Sequence, residues 1–236
     1  MRYFLFPILL IVLFSCNTVE IVEQNIQEEI QEIKENVQEE IKEDENKVFI
    51  DFLDSEWEKT LNNNPLFASY IGDKRSNNII NSNSIEQFII EKDSSIESLN
   101  NLKKINFSKL SDENKLNYRL YEFGINRDID LRNFPTYFLR INQRGGIQSF
   151  YETGNRLVYS SIQDYYDWLS RLNIFSENIN NFIEINKEGL LKGITQPNII
   201  TESVIVQIDA IINSEIDENP YMKIFMEADS NLMSKT

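Results

Sequence analysis

Apolar positions fall into helical rows along nearly the whole chain. Val19, Val22, Ile26, Ile30, Ile33, Val37 and Ile41 step by three or four residues, which puts them on one face of a helix. Asn25-Ile26-Gln27-Glu28-Glu29-Ile30 returns eleven residues later as Asn36-Val37-Gln38-Glu39-Glu40-Ile41. An eleven-residue period keeps such a stripe nearly straight, with a slight right-handed drift. From Val48 onward aromatics join the pattern. Phe49, Phe52, Leu53, Trp57 and Leu61 form one row, stopped by Asn62-Asn63-Asn64-Pro65. Leu66 to Ile71 reads as a short helix ended by Gly72, and Asn77 to Asn83 as a polar loop. Ser84 with Gln87 resembles a capping box that opens a helix through Leu102. Ser111 opens another, carrying Leu116, Leu120, Phe123 and Ile125.

Phe134 to Ile141 is aromatic, contains Pro135 and has the look of an extended segment; the Gly145-Gly146 break follows it. Helical rows then resume. Ile162, Tyr165, Tyr166, Leu169 and Leu172 form one face. Ser176 is expected to cap a separate helix bearing Ile179, Phe182, Ile183 and Leu190, which ends between Gly189 and Gly193. Thr201 is expected to cap the next, with Val204, Ile205, Ile208, Ile211 and Ile212, and Asn219-Pro220 has the form of a further helix start. The expected fold is all-α with at most a short extended segment. Seven Gly and five Pro are too few for a fold of many tight turns.

Ahead of these helices stands a different kind of segment. Tyr3 to Phe14 is an unbroken apolar run of 12 residues behind the single cation Arg2. A bilayer span needs roughly 20 residues, so the run suits the core of a secretory signal. Leu13-Phe14-Ser15-Cys16 then resembles the bacterial lipobox, in which the cysteine is lipidated and cleavage precedes it. The expected organisation is a signal peptide over 1–15, an acidic helical stalk over 16–46 and a helical domain over 47–236. Asn17 rather than Asp after the cysteine favours the outer membrane, with the domain facing the periplasm. The stalk serves as a spacer or, through its β-branched stripe, as a seam for self-association.

Net charge removes several function classes. At −15, much of it between Glu20 and Glu45, the chain repels nucleic acid and anionic headgroups alike. There is no His and the sole Cys is Cys16. Serine and cysteine triads built on imidazole, the HExxH zinc motif, thiolate metal sites and internal disulfides are therefore all excluded. No phosphate-binding or dinucleotide-binding glycine motif occurs. Asp164 and Asp167 share a helix face and can do acid–base work as a pair, but a solvated charged face is the expectation. Arg171 is expected to cap or to pair with Asp167, and Trp57 and Trp168 to lie in the core. Gln143, Gly145, Gly146 and Tyr151 are the candidate ligand contacts, because paired glycines let backbone approach a ligand closely beside an aromatic wall. The plain alternative is a connecting loop.

Several pieces in order resemble one family, the bacterial proteins of unknown function called DUF885. They are Trp57; Pro65 with Ala68 and Gly72-Asp73; Leu99 to Leu110 followed by Leu116-Asn117-Tyr118; Ile141-Asn142-Gln143 with Gly145-Gly146; Asp164-Tyr165 through Leu172; and Gly189, Gly193 and Pro197 followed by Val204 and Gln207. The resemblance runs from about Phe49 to the end. It departs at Lys74-Arg75-Ser76, which lacks an aromatic, and at Arg119, where an acidic residue is common. It implies a zinc peptidase relative whose HExxH-like motif lies in a later part of the family pattern, so zinc is not expected in this chain. The chain then corresponds to the amino-terminal, substrate-groove portion, with peptides as partners. The alternative is a non-catalytic helical binding or scaffold lipoprotein of the cell envelope.

The lipobox has a direct check. A fatty-acid analogue fed to the producing bacterium should label the protein through Cys16, and the Cys16→Ser variant should carry none. Label that persists in the variant would refute the assignment.

Overall fold

The computed structural model describes the backbone of residues 6–228, with side chains over 23–39 and 44–228. Met1 to Leu5, the side chain of Cys16 and the last eight residues lie outside the described residues. Eight α-helices follow one another: α1 (Phe6–Asn63), α2 (Pro65–Tyr70), α3 (Ile85–Leu102), α4 (Asp112–Leu131), α5 (Tyr151–Asn155), α6 (Ile162–Leu191), α7 (Asn198–Ile212) and α8 (Lys223–Met226). Short 3₁₀ turns occupy 107–109, 136–139 and 147–149. No strand occurs among the described residues, so the fold is all-α.

α1 runs through Asn46 without a break. Over residues 23–39 every side chain is exposed, Ile26, Ile30, Ile33 and Val37 included. Contact with the domain appears at Glu45 and Asn46. Glu45 accepts from the Asn106 backbone N–H, and Asn46 Oδ1 accepts from Ser111 N at 2.9 Å and Asn114 Nδ2 at 2.8 Å. Among the described residues Phe49 is the first that is fully buried. It joins Leu102, Ile105, Leu110 and Tyr118 in a core where α1 meets α3, α4 and the 107–109 turn. Tyr118 stands 6.0 Å from the Phe49 ring and 5.2 Å from Phe107.

Serine caps set two helix starts where the sequence predicts them. Ser84 Oγ accepts from Gln87 N, and Ser111 Oγ from Asn114 N, each at 3.2 Å. Such a cap satisfies one of the unpaired N–H groups of a first turn and contributes about 1 kcal/mol. Pro65 opens α2, and Gly72 takes φ +91° just after it, a left-handed conformation that glycine adopts at least cost.

Other expectations need correction. Phe134 to Ile141 is not extended: Thr136–Leu139 is a 3₁₀ turn, with Phe138 buried against α6. Ser176 caps nothing, because α6 is one 30-residue helix and continuous apolar periodicity carries it through the serine. α7 starts at Asn198 behind Pro197, so Thr201 sits inside its first turn and returns its hydroxyl to Asn198 O. Asn219-Pro220 leads through a turn into the four-residue α8. Leu116, Leu120 and Phe123 are helical but point to solvent, since α4 buries its Tyr118 face instead. Trp57 is 48% exposed, edge-on to Phe67, whereas Trp168 is buried with Tyr165 and Ile224. Gly154 lets α5 lie against Trp168: a Cβ there would stand 2.6 Å from Trp168 Cζ2 and 2.5 Å from Ile224 Cδ1.

Charged residues of α6 bind the chain segment around α2, contrary to the reading of a solvated face. Arg171 is fully buried. Its Nε donates to Ile79 O at 3.0 Å, and its Nη2 to Ser69 Oγ at 2.7 Å, Ser76 O at 3.1 Å and Pro65 O at 3.2 Å. It neither caps α6 nor pairs with Asp167; burial draws its pKa below the ordinary value, and the field of Asp167 opposes that. Asp164 is likewise buried. It reaches back to Ser160 N and Ser161 N, each at 2.8 Å, and receives Lys74 Nζ. Asn77 spans to Asp167 at 3.1 Å, and Asn178 Nδ2 donates to Asn81 O at 3.0 Å.

This second contact carries a pH signature. Burial alone would raise the Asp164 pKa, but the Lys74 ammonium and the serine N–H and O–H donors outweigh it and hold the carboxyl down at about 2. A depressed carboxylate pKa contributes stability that is present above the unfolded value and is lost as pH falls through the folded one. Asp164→Asn should therefore lower the unfolding free energy, and the gap from wild type should be about 2 kcal/mol wider at pH 6 than near pH 2. Urea unfolding at the two pH values measures it; a gap independent of pH would show that Asp164 is not held this way.

Candidate functional site

Residues 141–150 link the aromatic turn at Thr136–Leu139 to α5 and lie across the middle of α6. Gln207 of α7 fastens them. Its Nε2 donates to Gln143 O at 3.0 Å, and its Oε1 accepts from Gln148 Nε2 at 2.9 Å. Gln148, itself buried, also donates to Asn142 O at 2.7 Å, which turns the loop back on itself. Gly146 N donates to Ser149 Oγ at 2.9 Å, and Ser149 N to Gly146 O at 3.1 Å, making a tight turn. Neither Gly145 nor Gly146 uses a left-handed φ. Gly146 answers a close approach instead, since a Cβ there would lie 2.8 Å from Gln148 Oε1. Gly145 has no such neighbour, the nearest atom being Ser149 Oγ at 3.9 Å.

Two hollows flank this loop, and both are lined by Ile147, Phe175 and Phe182. The larger, about 650 Å³, lies between the second half of α6 and α7. Its wall is almost wholly apolar, with Ile179, Ile183, Leu190, Ile208 and Ile211 among the residues that form it. Tyr221 closes one side, its hydroxyl pKa pushed up to about 12 by burial. The smaller, about 480 Å³, lies between α6, the start of α2 and the 80–83 loop. Leu66, Phe67, Ile80 and Phe150 give it an apolar floor, and Asn81, Asn83, Asn178 and Arg140 give it a polar rim. Both volumes fall in the range of small-molecule and short-peptide sites.

Of the sequence-derived candidates, Gly146 lines the smaller hollow directly. Gln143 contributes its carbonyl to the Gln207 clasp, with its side chain exposed, and lines neither hollow. Gly145 lines neither. Tyr151 stands one ring back, edge-on at 5.6 Å to Tyr221. The walls themselves are Ile147, Phe175, Ile179 and Phe182. On the sequence the α6 residues read as ordinary core, because an apolar helical row has the same appearance facing a neighbour or facing a cavity. Arg140 was legible only as a cation in an aromatic stretch.

The walls of both hollows are mainly apolar. Among the described residues no group of three or more His, Cys, Asp or Glu could hold a metal ion. A catalytic zinc needs three such ligands, usually with His among them, so the residues present do not fit the zinc site implied by the resemblance. No described helix is long and apolar enough to cross a membrane.

A family model for a bacterial protein of unknown function, DUF885, matches residues 65–235. No curated protein matches the chain, and no solved structure does. The match takes in α2 to α8, the walls of both hollows except Asn64, and the loop between them, well over half of the 236 residues. The chain therefore belongs to the DUF885 family.

Proposed function

We propose that this chain presents a peptide-holding groove at the bacterial cell envelope, tethered through a lipidated Cys16, and that it supplies binding and orientation without bond cleavage. The pair of hollows sharing Ile147, Phe175 and Phe182 carries this reading. An extended peptide sends successive side chains to opposite sides, and two apolar recesses on either side of one ridge match that alternation. The family resemblance supplies the peptidase connection. In that setting residues 143–151 border the substrate, and hydrolysis depends on residues that this chain does not contain. The exposed acidic helix over 23–39 suits a spacer that holds the domain clear of the lipid surface.

A fluorescent, unstructured peptide of alternating Leu and Ser tests the groove on the purified chain. Saturable binding is expected, with no cleavage on prolonged incubation. Ile183→Glu places a charge in the larger hollow at a 43% exposed position, where the fold tolerates it. It should weaken binding by about tenfold or more, since an unpaired charge resists desolvation by an apolar ligand. Gly145→Val should leave helical content and Tm unchanged, having open space around it, yet reduce binding if the loop borders the peptide. Non-saturable binding, or binding untouched by Ile183→Glu, would overturn the groove.

A further inference from the structure

Arg140 lines the 480 Å³ hollow and makes no ion pair among the described residues. Its one hydrogen bond is a long one, from Nη1 to Asn83 O at 3.4 Å. The guanidinium is half-buried, and burial pulls its pKa below the ordinary arginine value. The carboxylate whose field acts on it is Glu91, but Glu91 is held by Arg132 at 2.7 Å, and Arg132 is itself a second cation acting on Arg140. In a chain of net charge −15, a partly desolvated cation without a counterion is an unbalanced feature. Asn83 adds a second one beside it: its Oδ1 is buried with no hydrogen-bond donor. Both residues line the same hollow, above the apolar floor made by Phe67, Phe150, Phe175 and Phe182.

We infer that this hollow is a subsite for the free carboxyl end of an apolar N-acyl amino acid, such as the last residue of a peptide. The ligand's carboxylate meets the Arg140 fork, and its side chain rests on the phenylalanine floor. Each part matches an unmet requirement of the protein. A guanidinium offers two parallel N–H donors that fit a carboxylate bidentately. The inference deepens the groove reading, since it names which end of a peptide the smaller hollow holds, and it rests on that reading for the peptide as physiological ligand.

The probes are N-acetylphenylalanine and its carboxamide, titrated calorimetrically into the full chain. They differ in the charged carboxylate alone. The overall negative charge of the protein opposes the acid, so any preference for it must come from a local cation. The acid should bind about tenfold tighter than the amide. Arg140→Met should erase the preference, and Arg140→Lys should keep part of it, because an ammonium provides charge without the fork. Asn83→Asp supplies an internal counterion at the site and should also abolish acid binding, which keeps the test decisive if Arg140→Met fails to fold. Equal affinity for acid and amide in the wild-type protein, or a preference that survives Arg140→Met, would overturn the subsite. Peptide binding in the groove without acid preference would remove this subsite and leave the groove standing. Acid preference without binding of longer peptides would do the reverse.

Discussion

The arrangement of this domain depends on a buried guanidinium. Arg171 lies in the first half of α6 and reaches four oxygen atoms spread over residues 65–79, a stretch with only one short helix to hold its shape. Neutral carbonyl acceptors spread a cation's charge without needing a matching carboxylate, and each charge-assisted bond contributes roughly 1.5–3 kcal/mol. The bonds run one way: a fixed helix supplies the donor and an otherwise irregular loop supplies the acceptors. The loop thus takes its conformation from α6. About two turns further along the helix Asn178 donates likewise to Asn81 O, and about two turns back Asp164 ties the same stretch in the opposite sense by accepting from Lys74.

That clasp joins two separate apolar clusters. Phe49, Leu102 and Tyr118 pack the amino-terminal helices, while Tyr165, Trp168 and Ile224 pack the carboxy-terminal ones. The smaller hollow opens where the clasped loop passes α6, so its walls come from both sides. The polar rim around it follows from the same cause. A loop pinned by its carbonyls presents its Asn side chains and the neighbouring Arg140 toward the space left over. The larger hollow has a different origin: Gln207 holds the 141–150 loop to α7, and the Ile and Phe residues of α6 and α7 face the gap between the two helices.

Periodicity and capping made much of this legible in advance. Ser84 and Ser111 announce their helices by an oxygen placed three residues before a first-turn N–H, a local interaction that needs no tertiary partner. The same reasoning misplaced Ser176 and Thr201, where the side chain had the right type but the apolar row continued through it or had already begun. Arg171 was out of reach, because three of its four acceptors are backbone carbonyls in a remote stretch and backbone carbonyls leave no mark in a sequence. Asp164 carried a trace, since Ser161-x-x-Asp164 is the reciprocal half of a capping box, but its burial came from Lys74 in a remote loop. For the candidate site, the paired glycines mark a loop that lies between two hollows, yet only Gly146 answers a close approach.

The claim that one buried arginine organises the domain can be measured directly on Arg171→Met, which keeps much of the side-chain volume and removes every donor. Equilibrium urea unfolding followed by the fluorescence of buried Trp168 reports on the element that carries the arginine. The account predicts a loss of about 3 kcal/mol or more, because the four charge-assisted hydrogen bonds that join α6 to residues 65–79 are removed together. A loss under about 1 kcal/mol, the range of an ordinary surface substitution, would contradict it.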